Sequence, residues 1–339
     1  MTDSCVFGQG PSLDKERWTR HDCRMLNQKT AEAFDRYCDR PDTYRIRNRR
    51  LAGANILDAG VETTGSIAAG IALARLCMGE LAKIEIVPDG SREMPVDNAI
   101  FVRTDDPLMS CLGSQYAGWP VQTEDFFAMG SGPMRLLRGR EPMLETLKLR
   151  EQSETAVGVL ESDKLPSESA IEAIAKDCGV AAEGIRLAVA PSTSIAGTVQ
   201  VVARSIETSL HKMHELKFDV GTVISGSGVA PLPPPAKPGD TVGGIGRTND
   251  AILYGGRVTL WVDCEDDAIG EIIEQVPSGS SSDHGQPFAK TFKQYDYDFY
   301  KVDPMLFSPA VITVHNLRSG RTHRSGSMEF DVLRQSFLS

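Results

Sequence analysis

The sequence contains one long helical stretch, Gly197-Thr-Val-Gln-Val-Val-Ala-Arg-Ser-Ile-Glu-Thr-Ser-Leu-His-Lys-Met-His214. At about 100° per residue, its apolar side chains fall on one face and its polar side chains on the opposite face. The apolar face comprises Val199, Val202, Ile206, Leu210 and Met213, and the polar face comprises Gln200, Arg204, Glu207 and His211. A polar face of this kind is ordinarily the solvated side of an amphipathic helix. Taken alone, it predicts an exposed i,i+3 ion pair between Arg204 and Glu207, contributing about 0.2–0.5 kcal/mol.

Outward from this helix, in both directions, the chain alternates strands and helices, which favours an α/β fold. Predicted strands are Ala54–Asp58, Ala82–Val87, Ala99–Thr104, Ala156–Glu161, Ile185–Ala190, Phe218–Ile224, Arg257–Val262, Ala310–Asn316 and Thr322–Ser327. Predicted helices are Asn27–Cys38, Ser66–Met78, Pro107–Ala117, Ser167–Cys178, Asp266–Gln275 and Glu329–Phe337. The last two strands form a hairpin, so we expect mixed sheets with some α+β character.

The length of 339 residues allows two domains of ordinary size. We predict an N-terminal extension over residues 1–23, a first α/β domain over 24–150 and a second over 151–339 that carries the long helix. Residues 225–246, rich in Gly and Pro, and residues 278–285, rich in Ser and Gly, are predicted loops. A long Pro-rich loop inside a compact chain is typical of the border of a site or interface.

Composition limits the possible partners and location. The net charge of −10 argues against nucleic-acid binding, which needs a basic patch. The one basic cluster, residues 45–50, is interpreted as a solvated lead-in to a strand. No stretch reaches the ~20 apolar residues of a membrane span, and the N-terminus lacks a secretion signal. The seven scattered cysteines form no C-x-x-C pair, which indicates reduced thiols and a cytoplasmic protein. Three of them, Cys77, Cys111 and Cys178, are predicted core residues.

Familiar catalytic motifs are missing from the sequence. Of the six histidines only His211 and His214 are close, and their i,i+3 spacing matches no zinc motif, so we predict no metal. Gly130-Ser-Gly132 and Gly226-Ser-Gly228 lack the spacing of a dinucleotide or phosphate loop, although a nest of backbone N–H groups stays possible. No G-x-S-x-G follows a strand, which argues against a serine hydrolase.

A set of short motifs, in order from about residue 25 to the C-terminus, resembles the methenyltetrahydromethanopterin cyclohydrolase family. They lie at residues 58–62, 77–79, 104–107, 117–119, 125–133, 178–179, 190–207, 246–250, 254–256 and 295–301. Residues 191–194 read Pro-Ser-Thr-Ser where Pro-Thr-Ala-Ser is usual in the family, an exchange of small polar residues that should be tolerated. Residues 1–23 extend beyond the usual family start.

The resemblance implies that Arg204 and Glu207 are the catalytic pair of a hydrolase. Such an enzyme interconverts 5,10-methenyltetrahydromethanopterin, or its dephospho form, with the N5-formyl derivative in one-carbon metabolism. It implies two α/β domains with the active-site cleft between them, a homotrimer, a tetrahydromethanopterin derivative as substrate and no prosthetic group. The direction of flux, in methanogenesis or formaldehyde oxidation, stays open. The alternatives are a non-catalytic pterin-binding protein of the same fold and a metal-dependent amidohydrolase.

Two motifs offer groups for the rest of the substrate. Residues 125–133 combine aromatic side chains with a Gly-rich loop of N–H groups, and residues 246–250 offer donors and acceptors suited to an aminopyrimidinone edge. Pockets orient a ligand with only a few such polar groups. The candidate substrate-binding residues are Asp125, Phe127, Gly130, Ser131, Gly132, Ser194, Gln200, Arg247, Asn249 and Asp250.

Overall fold

The computed structural model describes residues 25–338, apart from the side chain of Tyr300. The predicted extension, residues 1–23, lies outside this range. Twelve strands within it form two mixed six-stranded sheets. The first sheet has the order β1-β2-β8-β7-β6-β5 and the second β12-β11-β10-β9-β4-β3. The strands are β1 Arg47–Leu51, β2 Ala54–Asp58, β3 Ala82–Pro88, β4 Asn98–Thr104, β5 Trp119–Gln122, β6 Phe127–Ser131, β7 Ala156–Glu161, β8 Ile185–Ala190, β9 Val223–Pro231, β10 Arg257–Val262, β11 Val311–Asn316 and β12 Thr322–Gly326.

Helices cover the sheets and lie between them. The α-helices are α1 Leu26–Cys38, α2 Pro41–Tyr44, α3 Ile67–Cys77, α4 Met134–Arg138, α5 Pro142–Thr146, α6 Glu168–Cys178, α7 Ile195–Val202, α8 Ser205–Glu215, α9 Thr241–Gly255, α10 Asp266–Gly270, α11 Phe288–Gln294 and α12 Phe330–Phe337. A π-helix spans Leu108–Gln115, within the segment predicted as an ordinary helix. Among the described helices none is both long and apolar enough to span a bilayer. The predicted α/β class with mixed sheets is confirmed.

Neither sheet is confined to one side of residue 150. The first sheet takes four strands from before that position and two from after it, whereas the second takes two from before and four from after. Each sheet therefore combines strands from both predicted domains, and the division near residue 150 stays a prediction. In the first sheet β2, β8 and β7 are parallel, so their carboxyl ends, at Asp58, Ala190 and Glu161, meet at one edge, where α/β sheets commonly bind ligands.

The apolar face predicted for the long helix is confirmed and lies in the main core. Its five residues, from Val199 to Met213, are fully buried with side chains of the second sheet. The Gly226-Ser-Gly228 motif belongs to β9 and explains the close approach of α8. A Cβ added at Gly226 would lie 3.0 Å from Ile206, and one at Gly228 would lie 2.4 Å from Ser205 Oγ. These glycines therefore serve helix packing rather than a phosphate.

Two predicted irregular segments are regular in the structure. The predicted loop over residues 225–246 is wrong, because it contains most of β9 and the start of α9. The basic cluster at residues 45–50 is mostly the exposed edge strand β1 rather than a lead-in. An edge strand rich in arginine is discouraged from pairing with other chains. The basic residues thus protect the edge of the first sheet.

Candidate active site

The predicted single helix is two helices that meet at Ala203 and Arg204. Arg204 has φ −91° and ψ 9°, outside the helical range, and its N–H bonds to Val201 one residue closer than in an α-helix. The carbonyl of Ala203 instead accepts a hydrogen bond of 3.1 Å from Nε2 of Gln115, at the end of the π-helix. Gln115 in turn accepts a hydrogen bond at its own carbonyl from Arg204 Nη1. These two reciprocal hydrogen bonds fix the break between the helices.

The guanidinium of Arg204 is held from several sides. Its Nη2 donates to Ser131 Oγ at 3.1 Å and to Gln200 Oε1 at 3.2 Å, and lies 3.7 Å from Cys77 Sγ. Cys77 Sγ itself lies 3.2 Å from Ser131 Oγ. Arg204 is only 8% exposed. The guanidinium is therefore a fixed cation between the two sheets rather than a solvated side chain.

Glu207 is buried, and no described residue pairs with its carboxylate. Its side chain is 4% exposed, and it forms no hydrogen bond or ion pair with another residue between 25 and 338. Burial raises the pKa of Glu207 to about 7, while the positive charges of Arg204 and Arg135 oppose that rise. The exposed Arg204–Glu207 ion pair predicted from helical spacing is therefore wrong, because tertiary packing buries both residues and turns the guanidinium toward other acceptors.

A second buried arginine, Arg135, is near enough for its charge to lower the pKa of Glu207. Arg135 is fully buried and makes a bidentate ion pair with Glu141, in which Nε and Nη2 donate to the two carboxylate oxygens. Its Nη1 also donates to the carbonyl of Leu112 in the π-helix at 2.9 Å, and its guanidinium lies over the Tyr116 ring. Bidentate pairs hold their geometry well. Arg135 thus fixes the π-helix that presents Gln115 to the helix break.

Comparison with known proteins gives the family. A family model described as Cyclohydrolase (MCH) matches residues 25–337. The chain belongs to this family. A methenyltetrahydromethanopterin cyclohydrolase of Rhodopirellula baltica is 59% identical, over 92% of this chain and 94% of that protein. Proteins of the same name from Methylobacillus flagellatus and Methanosarcina barkeri are each 43% identical, over 92% and 84% of this chain and 95% and 89% of their own lengths. The chain is therefore an enzyme, a hydrolase of the cyclohydrolase family.

Two of the predicted substrate-binding residues lie at this candidate site, beside Arg204. Ser131 and Gln200 are both buried and direct their oxygens at Arg204. The predicted loop of free N–H groups is instead the end of β6, where Gly130 pairs with neighbouring strands on both sides. The N–H of Gly132 already donates to the carbonyl of Ser114 at 2.8 Å. Gly132 adopts φ +99° with β7 backbone 3.0 Å from a hypothetical Cβ, so the position requires glycine.

Of three further candidates, Ser194 caps a helix, whereas Asp125 and Phe127 are exposed. Asp125 accepts hydrogen bonds from the hydroxyls of Thr123, Ser167 and Ser169 on the surface, and these lower its pKa. Ser194 is the N-cap of α7 and accepts a hydrogen bond from Gly197 N–H at 3.0 Å. Phe127, by contrast, is 57% exposed. Asp125 is exposed as well, and its three hydroxyl donors all bond to Oδ1, so Asp125 and Phe127 both have side chains open to a ligand.

The three candidates on α9 all bond to groups of the protein itself. Arg247 donates to the carbonyls of Pro234 and Pro235, and Asn249 donates to the carbonyl of Ile245. Asp250 is fully buried, and its two oxygens accept hydrogen bonds from Phe288 N–H and Ser336 Oγ. Both oxygens thus join α9 to α11 and α12, and the role of Asp250 in substrate binding stays a prediction. Burial raises the pKa of Asp250 to about 7.

Sequence reasoning missed two residues that shape the site. Gln115 was not singled out, and Cys77 was assigned to the core. Cys77 is buried as predicted, and the five cysteines that the structure describes are all free thiols, but its sulfur also faces Arg204. A signal was present, since residues 77–79 form one of the family motifs. Gln115 carries no comparable signal, because its role depends on a π-helix that local spacing does not reveal.

Neither the two cavities nor the metal-ligating side chains of the described residues offer a second candidate active site. One cavity of about 470 Å³ lies on the outer face of the second sheet, and another of about 400 Å³ lies near the start of α3. Neither is lined by a buried titratable group, whereas the helix break gathers several. Residues 25–338 contain no group of three or more metal-ligating side chains. His211, whose spacing to His214 matches no zinc motif, stacks on Tyr116 with 4.6 Å between ring centres.

Proposed function

We propose that this enzyme interconverts 5,10-methenyltetrahydromethanopterin, or its dephospho form, and water with N5-formyltetrahydromethanopterin. The names of its relatives support this substrate. The observation that carries the mechanism is the buried, unpaired carboxylate of Glu207 beside the fixed guanidinium of Arg204. A general base is most effective when its pKa lies near the working pH, and the value of about 7 for Glu207 meets that requirement.

The reaction requires a positioned water and a proton acceptor. The bridge carbon of the substrate is joined to two nitrogens as an amidinium-like cation and is already electrophilic. Glu207 takes one proton from water as the water oxygen bonds to that carbon. As the tetrahedral intermediate collapses, the bond from carbon to one nitrogen breaks and that nitrogen takes a proton. The carbon keeps the oxygen as a formyl group on N5, and one proton is released.

Arg204 orients the reaction without exchanging a proton, because arginine stays charged in proteins. Its Nη2 and one side of Nη1 are occupied by Ser131, Gln200 and Gln115. Its Nε–H has no hydrogen bond to any residue that the structure describes. This donor is therefore available to the attacking water and to the oxygen of the intermediate. Donors fixed in advance toward developing charge are typically a large part of catalysis.

The test is turnover of the methenyl substrate, followed by loss of its near-ultraviolet absorbance. We expect Glu207→Gln to lower kcat by about 10²–10⁴, the usual contribution of a positioned base. The matched control is Glu215→Gln, an exposed position on the same helix, which should behave as the wild type. If Glu207→Gln retains more than a tenth of wild-type kcat, Glu207 is not the base. Binding without any turnover by the wild type would favour the non-catalytic alternative.

Further parts of the proposal concern metal, assembly and location. We propose that catalysis needs no metal or prosthetic group, so EDTA or phenanthroline should leave kcat unchanged. If activity were lost and zinc restored it, the metal-dependent alternative would be revived.

We also propose that the enzyme is a cytoplasmic homotrimer, in keeping with its five free described thiols and the family resemblance. Its place is one-carbon metabolism, in either the formaldehyde-oxidising or the methanogenic direction.

A further inference from the structure

A second carboxylate lies beside Arg204, and the mechanism above does not use it. Glu161 is the last residue of β7, at the edge where the carboxyl ends of the parallel strands meet. Ser131 Oγ, which holds Arg204, also donates to the carbonyl of Val159 at 3.3 Å. Glu161 follows Val159 by two residues, about 7 Å along a strand. Its side chain is therefore on the same face of the sheet as Val159 and near the guanidinium.

Glu161 has no hydrogen-bond or ion-pair partner among residues 25–338, although it is largely enclosed. Burial raises its pKa, the charge of Arg204 lowers it, and the charge of Asp163 raises it. A partly enclosed carboxyl group without a donor is costly unless something else satisfies it. This arrangement is typical of a group that receives its donor from a ligand.

Apolar side chains lie next to Glu161 on the same face. Met129 of β6 is the register partner of Glu161, so the two side chains lie side by side. Phe127, Met129 and Ser131 alternate along β6 and share this face, with Phe127 exposed and Met129 half-buried. An exposed apolar strip therefore leads from solvent to Arg204, with one unsatisfied carboxyl group along its side.

We propose that Glu161 accepts hydrogen bonds from the aminopyrimidinone edge of the pterin ring, which lies against Met129 and Phe127. This inference rests on the proposed function, since it names the subsite for the non-reacting part of the same substrate. The edge presents an exocyclic amino group and a ring N–H side by side. Two neighbouring donors match the two oxygens of one carboxylate, and a flat ring matches an apolar strip. Glu207 and Arg204 then face the reacting bridge.

The experiment separates this role from two others. In a Glu207→Gln background, which slows turnover, dissociation constants are measured before appreciable conversion for the cationic methenyl compound and for the neutral formyl compound, with and without Glu161→Gln. The pterin edge is the same in both ligands. We therefore expect Glu161→Gln to weaken both by a similar factor of about 10–100, since a lost charge-assisted pair of hydrogen bonds has that order of effect. In the active enzyme it should raise KM more than it lowers kcat.

Each other outcome overturns the assignment. Weakening of the methenyl compound alone would mean that Glu161 recognises the positive bridge. A fall in kcat at unchanged KM would make Glu161 an acid or base in the reaction. Unchanged affinity for both compounds would exclude any ligand contact. The exposed Glu172→Gln on α6 is the matched control, and thermal unfolding confirms that each variant is folded. Absence of wild-type turnover would instead refute the proposed function, so the two failures are distinct.

Discussion

At the scale of single residues, burial and nearby positive charge act in opposite directions on the pKa of Glu207. Burial raises the pKa of Glu207 to about 7, and Arg204 and Arg135 prevent a larger rise. The same burial has a cost in stability, because in the unfolded chain the pKa of Glu207 stays near its ordinary value of 4.5. Between pH 4.5 and 7 the folded protein binds more protons than the unfolded chain. The free energy of unfolding therefore falls as pH rises through this window.

Glu207→Gln should be more stable than the wild type at pH 8, with little difference from it near pH 4.5. Glutamine does not ionise, so the variant avoids the cost of a buried negative charge. The rise from 4.5 to about 7 corresponds to about 3 kcal/mol, which is the upper end of the expected gain. Urea unfolding at the two pH values measures it. A gain that does not depend on pH would show that ionisation of Glu207 is not its source.

Arg204→Lys should lose most of the turnover although the charge is kept. The planar guanidinium reaches Gln115, Ser131 and Gln200 at once, and a single ammonium group does not reproduce that geometry. We expect kcat to fall at least tenfold. Adding Glu207→Gln should cause little further loss, since both residues act on one water. Steady-state kinetics on the single and double variants test this, and strictly multiplicative losses would contradict a shared water.

At the scale of elements, the decisive feature is the contact between the π-helix and the junction of α7 and α8. Periodicity predicts one continuous helix because near neighbours fix it. The junction exists because Ala203 and Arg204 bond to Gln115, nearly ninety positions away in sequence. π-Helices are rare in proteins, and those that occur are often found at functional sites. The interruption therefore coincides with the segment that we propose to be catalytic, in a helix that is otherwise regular.

Gln115→Leu should impair catalysis more than binding. The variant removes the amide that bonds to the Ala203 carbonyl and leaves a buried acceptor unpaired, at a cost of about 1–3 kcal/mol. With the junction loosened, Arg204 is less well placed, so we expect kcat to fall about tenfold or more, with KM changed much less. Kinetics together with thermal unfolding measure both effects. Exposed Gln275→Leu is the control, and a rise in KM alone would argue for a direct substrate contact.

Asp250→Ala should reduce stability and leave substrate affinity nearly unchanged. Asp250 satisfies Phe288 N–H and Ser336 Oγ, and thereby joins α9 to α11 and α12. Each buried donor left without an acceptor costs about 1–3 kcal/mol, so a loss of at least about 2 kcal/mol is expected. Urea unfolding and KM are measured on the same preparation. A large rise in KM with intact stability would support the substrate-binding role predicted from sequence.

At the scale of the whole molecule, the chain passes repeatedly between the two sheets before the site is complete. Cys77 and Ser131 come from the side of the first sheet, while the apolar faces of α7 and α8 pack in the core of the second. The loop after β7 also contacts the start of α9, through a hydrogen bond from Thr241 to Asp163. The site therefore exists only when both sheets are folded and joined.

The predicted homotrimer is a property of this scale. We expect light scattering on the purified protein to give a mass three times that of the single chain. The result should hold across a range of protein concentrations, because an assembly that belongs to the working enzyme has to persist on dilution. A monomer at micromolar concentration would refute the trimer and leave the proposed chemistry untouched, since the catalytic contacts described here lie within one chain.

The sequence by itself determined part of the regular elements, and the family. The strands at 54–58, 156–161, 185–190 and 257–262 match their predicted bounds, because alternation and turn residues act between near neighbours. The motifs also identified Arg204 and Glu207. Only the tertiary structure decided that these residues are buried, that their helix is interrupted and that Ser131 and Gln115 hold the guanidinium. Arg204 meets Ser131, Gln115 and Cys77 across 73, 89 and 127 positions, and local periodicity carries no information over such distances.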